Sequence, residues 1–177
     1  MDKRVPAIEL THRMERFRNK MDQDHPQWSW VMVFSKINQF YFTGTMQDGM
    51  LIIPKGEEAV YWVRSSYERA VDESQFPNIR PMNSYRDAAS VMGKSPDMLF
   101  TETESVPVAL LQRVKKYFPY QEIQPADSQI MAARSIKSTF ELEIQKRIGC
   151  IHQRILEQQV PQLLEEDLSE RKQSNGY

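Results

Sequence analysis

Arg134-Ser-Ile-Lys137-Ser138-Thr-Phe-Glu141-Leu-Glu143 is the stretch on which the fold turns. Ser138 and Glu141 have the S-x-x-E spacing of a capping box, in which a hydroxyl and a carboxylate each satisfy one free N–H group at a helix start. Phe140, Ile144, Ile148, Ile151 and Ile155 then recur at steps of three or four, so one face of the helix is apolar. Such a face needs a surface to pack against, yet the sequence stops at Tyr177, about twenty residues after its last regular position. The stretch reads as a junction between one domain, residues 1–133, and the opening of a second, residues 134–177.

Upstream of the junction, Leu10, Met14, Phe17 and Met21 repeat at helical spacing and predict a helix over residues 9–21. His25-Pro26 ends it, because a residue preceding proline is pushed out of the helical region. Trp28 to Phe34 and Gln39 to Thr43 are rich in aromatic and β-branched residues and read as strands. Gly49 to Pro54 and Ala59 to Val63 read as a hairpin around Lys55-Gly56-Glu57-Glu58. Four strands with short links imply a largely antiparallel start to a sheet. Beyond Val63, short helices (66–72, 85–92, 106–117, 126–133) alternate with short strands (79–82, 98–101, 120–123), the rhythm of parallel crossover units. The fold class is therefore α/β: a mixed sheet of about six strands flanked by helices, followed by one long C-terminal helix.

Composition narrows the setting. The 177 residues include 40% hydrophobic residues, enough for a core plus an appendage. A net charge of −1 gives no whole-chain attraction to nucleic acid. Mean hydropathy is −0.61, and no apolar run approaches the ~18–20 residues of a membrane span. Met-Asp-Lys-Arg-Val-Pro at the N-terminus has no apolar stretch behind it, unlike a signal peptide. A single cysteine, Cys150, excludes an internal disulfide and fits a cytoplasmic, reducing compartment. The last polar run, Ser169 to Tyr177, reads as a tail.

Chemistry-bearing residues are sparse. His12, His25 and His152 are far apart and none belongs to a metal-binding motif; helical, surface or half-buried imidazoles are the ordinary reading. Cys150 sits one position from the apolar helix face, an ordinary place for a small buried thiol. No nucleophile elbow or phosphate-cradling loop is present. Asp48 and Glu102 fall near strand ends, where a carboxylate can face a metal, but an aspartate before a turn glycine needs no such role. Trp28, Trp30, Tyr41, Phe42, Tyr61 and Trp62 could form a stacking platform for single strands, against which stands their usual place in a core. Arg64, Tyr67 and Arg69, just after the hairpin, are candidates for an interface or gating surface, since Arg and Tyr are enriched at hot spots; the plainer reading is a solvated helix face.

The order of these pieces resembles the N-terminal domain of the creatinase/prolidase/Xaa-Pro aminopeptidase family of metallopeptidases. The first helix carries its Arg13, Phe17, Met21 pattern. Asn38-Gln-Phe-Tyr41-Phe42-Thr43-Gly44 is similar to its N-x-x-Y-L-T-G stretch, and Gly49-Met-Leu-Ile-Ile-Pro54 with Ala59-Val-Tyr-Trp-Val63 to its hairpin. Arg134-Ser-Ile-Lys137-Ser138-x-x-Glu141-Leu resembles its R-x-x-K-S-x-x-E-I junction. Leu168-Ser169-Glu170 resembles part of a later turn, although Glu166-Asp167 stands where glycine is usual.

The resemblance implies a sheet with a ribonuclease H-like motif and a two-domain hydrolase. In the family a C-terminal "pita-bread" domain holds two Asp, one His and two Glu around a pair of divalent metals (Mn, Co or Zn). That pair activates water against a peptide bond, typically one preceding proline. None of those ligands maps onto this chain, so residues 1–177 imply no cofactor and no catalytic residue of their own. The expected partners are a second copy in a homodimer and, for the parent alone, a peptide substrate; no nucleic acid or membrane is expected. Residues 1–133 would then serve dimerisation and substrate gating. The alternative is a non-catalytic peptide- or protein-binding module of a pseudo-peptidase, similar to the peptidase-like domain of the FACT histone chaperone.

Overall fold

The structure is a computed structural model that describes residues 4–93 and 95–164. The chain falls into two units, Met1–Ile136 and Lys137–Tyr177.

The first unit is built on a mixed sheet of six strands: β1 (Trp30–Val33), β2 (Gly49–Pro54), β3 (Val60–Val63), β4 (Ile79–Pro81), β5 (Met98–Thr101) and β6 (Glu122–Pro125), in the order β4-β3-β2-β1-β5-β6. β2 pairs antiparallel with both β1 and β3, while the β3–β4, β1–β5 and β5–β6 pairs are parallel. β2 alone therefore runs against the other strands, and their carboxyl ends share one edge. Around the sheet lie α1 (Ala7–Asp24), α2 (Lys36–Thr43), α3 (Tyr67–Glu73), α4 (Tyr85–Met92), α5 (Val108–Lys115) and α6 (Asp127–Ser135).

The period-2 geometry of strands sorts the core into two layers. Val31, Val33, Leu51, Ile53, Tyr61 and Val63 face one side, where Phe17 and Met21 of α1, Phe42 of α2, Ala70 of α3 and Ile130 of α6 close over them. Met32, Met50, Ile52 and Trp62 face the other, covered by Ala88 of α4 and Val114 of α5. Covered on both faces, the central strands are nearly continuous apolar runs. At Gly49 a Cβ would lie 2.3 Å from the Trp62 carbonyl oxygen, so the β2–β3 approach requires glycine there. The hairpin turn holds Gly56 at φ +75, in the left-handed region that glycine enters without strain.

Most expected elements are present, with one change of type. Gln39 to Thr43, read as a strand from its aromatic content, is the end of α2. Gly44 terminates this helix at φ 77, its N–H bonded to the Phe40 carbonyl at 2.8 Å, the left-handed glycine cap of a helix end. Gln39, Phe42 and Thr43 are buried at the i, i+3, i+4 spacing of a helix stripe, so packing outweighs β-propensity. The antiparallel start is accordingly three strands with a helix in the first link. The last strand begins at Glu122 and not at Tyr120, because the Tyr120 ring is buried in the core and its hydroxyl donates to the Leu111 carbonyl at 2.9 Å.

In the second unit α7 (Thr139–Arg154) begins at the expected capping box. Ser138 Oγ accepts from the Glu141 N–H at 3.1 Å, and Glu141 Oε2 accepts from the Ser138 N–H at 3.0 Å. A π-helical turn, Ile155–Gln159, follows, and helical structure resumes to residue 164. No residue of α7 is buried. Ile144, Ile148, Ile151 and Ile155 are 40%, 47%, 56% and 39% exposed, and Phe140 is half-buried. Cys150 is exposed, contrary to the buried thiol expected beside the apolar face; the helix offers nothing for it to sink into. The polar tail and Leu168-Ser169-Glu170 lie outside the described residues.

Candidate functional site

The residues that carry the family motifs meet in space. Arg13, on α1, donates from Nε to Glu9 Oε1 at 2.7 Å and from a terminal nitrogen to the Tyr41 carbonyl at 2.9 Å. Its guanidinium also lies 4.7 Å from the Tyr41 ring centroid. Glu9 and Arg13 are both buried, where a charge is tolerated only if paired and hydrogen-bonded. The Tyr41 hydroxyl donates to the Ala133 carbonyl at 2.7 Å, so α1, α2 and α6 are bound through one ring.

A second chain of bonds lies at the carboxyl ends of β1 and β5. Glu102, 1% exposed, accepts from the N–H groups of Phe34 and Ser35 at 2.7 and 3.0 Å and from Asn38 Nδ2 at 2.5 Å. A carboxylate at the start of α2 satisfies donors the helix leaves open and complements its dipole. Asn38 Oδ1 in turn accepts from Arg134 at 2.8 Å. The metal-facing role weighed for Glu102 is thus taken by structural donors.

Asp48 is engaged as well: both Nε and a terminal nitrogen of Arg64 donate to its Oδ2, at 2.9 and 2.6 Å. This carboxylate holds the exposed Arg64 guanidinium above its ordinary range. Arg69 lies on α3 and donates to Glu73 Oε1 at 2.5 Å; Glu73 Oε2 accepts from Thr45 Oγ1 and Gln47 Nε2 at 2.8 and 2.9 Å. Tyr67 is half-buried against the first core layer. The structure does not gather Arg64, Tyr67 and Arg69 into one site. Arg64 lines a concavity of about 320 Å³ with Tyr85, Arg113, Lys116 and Tyr117, whereas Arg69 lines a separate one of about 570 Å³ with Phe40, Met46 and Glu73. Tyr67 lines neither.

The remaining candidates fall to structural roles. Trp28, Tyr41, Phe42, Tyr61 and Trp62 are buried, and Trp30 is half-buried against Phe118, so these rings are core. His25 packs on Phe100 at 4.9 Å between centroids, while His12 and His152 are exposed on α1 and α7. Among the described residues no group of three or more His, Cys, Asp or Glu is placed to hold a metal ion. They do not fit the metal pair of the family, and no hydrolytic step runs through them. What the sequence reading missed is the cation set beside Arg64: Arg113 and Lys116 lie in the stretch 106–117, which reads simply as a short helix.

Comparison with known proteins gives the class. The sequence profile of the Creatinase/Prolidase N-terminal domain matches residues 13–136, and the chain belongs to that family. Its fold is similar to that of a prolidase from Pyrococcus furiosus (25% identity, TM-score 0.63, 74% of this chain and 40% of that one). A prolidase from Pyrococcus horikoshii OT3 is equally similar (25% identity, TM-score 0.63, 75% of this chain and 37% of that one). The Creatinase/Prolidase N-terminal domain of an X-Pro dipeptidase from Streptococcus pyogenes shares the fold at 14% identity and TM-score 0.57, covering 67% of this chain and 96% of that one. The chain thus spans about 40% of the length of the Pyrococcus furiosus prolidase. No curated protein sequence matches it. No described helix is long and apolar enough to cross a membrane.

Proposed function

We propose that residues 1–133 are the N-terminal accessory domain of a cytoplasmic, metal-dependent Xaa-Pro dipeptidase- or aminopeptidase-like protein, and that residues 134–177 are the junction and first helix of its metallopeptidase domain. The accessory domain serves dimerisation and substrate gating, with Arg64, Tyr67 and Arg69 as surface contacts. Hydrolysis belongs to a metal pair (Mn, Co or Zn) held by the rest of the parent protein.

The observation that carries this reading is the family match over residues 13–136 followed directly by a capped amphipathic helix. A helix whose isoleucines are 39–56% exposed has the composition of an element made to be covered. The test is hydrolysis of Xaa-Pro dipeptides by the 177-residue chain supplied with Mn²⁺, Co²⁺ or Zn²⁺, beside a prolidase as positive control. No turnover is expected; metal-dependent hydrolysis by the chain alone would overturn the reading.

A further inference from the structure

Arg64 follows β3, Ser84 and Tyr85 stand at the start of α4, and Arg113, Lys116 and Tyr117 come from the end of α5; together they line the concavity of about 320 Å³. It opens at the carboxyl ends of β3 and β4, the edge where open α/β sheets hold ligands. Of its three cations only Arg64 has a carboxylate partner, Asp48, and both of its bonds go to one oxygen. Arg113 and Lys116 have no ion-pair partner among the described residues. Asp87 on α4 is taken up by the N–H groups of Asn83 and Ser84 at 2.7 and 3.0 Å. Burial raises the pKa of the Tyr85 phenol, while Arg64 and Arg113 act on it in the opposite sense. The phenol therefore stays protonated at neutral pH and presents an O–H among the cations. Arg64, Tyr85, Arg113 and Lys116 thus give the wall four side-chain donors.

We propose that this concavity binds an acidic peptide segment of a partner protein through its side-chain carboxylates. A free phosphate is the poorer fit. Phosphate sites draw on open backbone N–H groups at a helix start, and here the capping box takes up the N–H groups of Asn83 and Ser84, through Asp87, and that of Arg86, through Ser84 Oγ. The cations instead stand apart, on the β3 end and on two positions of α5, as suits carboxylates spaced along a chain, with the two Tyr rings to pack against its stem. This inference does not rest on the peptidase reading, and its test measures binding only.

The 177-residue chain is titrated calorimetrically with a Glu-rich dodecapeptide, with the same peptide carrying Gln for Glu, and with inorganic phosphate. The Glu peptide is expected to bind, and binding to weaken with added salt, as charge-assisted contacts require. The double variant Arg113→Gln/Lys116→Gln should weaken it about tenfold or more. Lys20→Gln/Lys36→Gln, which removes two cations of α1 and α2, should leave it unchanged. Circular dichroism establishes that each variant is folded. No binding of the Glu peptide, equal binding of the Gln peptide, equal loss in both double variants, or phosphate binding as tightly as the peptide would each overturn the proposal.

Discussion

Arg134 donates to Asn38 Oδ1 at 2.8 Å across 96 positions of sequence. The bond joins the junction motif to the start of α2, where Asn38 passes its own N–H to the buried Glu102. Two motifs that looked independent along the chain are one hydrogen-bonded unit. It fixes the end of the first unit just before the second begins.

Removing Asn38 should therefore be felt at Glu102. Asn38→Ala leaves a buried carboxylate with one donor fewer and should cost about 1–3 kcal/mol. Glu102→Gln replaces the anion that two backbone N–H groups face and should cost a similar amount. Urea unfolding of both variants checks this. Loss of the same size from an exposed control such as Lys36→Ala would show that the network contributes nothing particular.

The Glu9–Arg13 pair makes a sharper contrast. Arg13→Ala strands a buried carboxylate and should destabilise by about 3–5 kcal/mol, whereas Glu9→Gln/Arg13→Met, which removes both charges, should cost clearly less. Tyr41→Phe removes the bond to the Ala133 carbonyl and should cost about 1 kcal/mol. Thermal melts with a double-mutant comparison read all three.

Two glycines of the hairpin should respond differently to the same change. Gly49→Ala drives a Cβ onto the Trp62 carbonyl oxygen, 2.3 Å away, and backbone must move; a loss of about 2 kcal/mol or more is expected, in the range of overpacking. At Gly56 nothing lies within 4 Å, and only the left-handed backbone resists alanine, for about 1 kcal/mol. Equal losses would contradict the close approach of β2 to β3.

Glu73 gives a pH dependence of known sign. Hydrogen bonds from Gln47, Arg69 and Thr45 hold its carboxyl below the ordinary value of 4.5. A lowered folded-state pKa stabilises the fold above the unfolded value, and that contribution is lost as pH falls through the folded one. Melting temperature should thus drop on acidification below pH 4.5, and Glu73→Gln should flatten this part of the curve. An unchanged acid limb in the variant would remove Glu73 from the account.

How far the sequence carried follows from which forces were local. The helix at Ser138 was legible because its cap lies within three residues of its start, and the hairpin because its turn and strands are contiguous. The α2 segment was not, since Tyr41 and Phe42 favour strands locally and become helical through contacts with Arg13 and Phe17 on α1. Gly44, directly after the segment that reads as a strand, is the local signal of the helix end. Arg64 and Arg69 stand five positions apart, yet β3 and α3 carry them to different concavities. Arg113 and Lys116, from far along the chain, complete the one beside Arg64. Separation of that kind is set by topology, which spacing along a chain does not reveal.

The proposed assembly role of residues 1–133 is tested most directly by sedimentation equilibrium of the 177-residue chain. Dimerisation through residues 1–133 predicts a homodimer at micromolar concentration, weakened by Arg64→Glu/Arg69→Glu and kept when Ile148→Glu and Ile151→Glu place charge on the exposed face of α7. A monomer at all concentrations, with α7 still helical by hydrogen exchange, would contradict it.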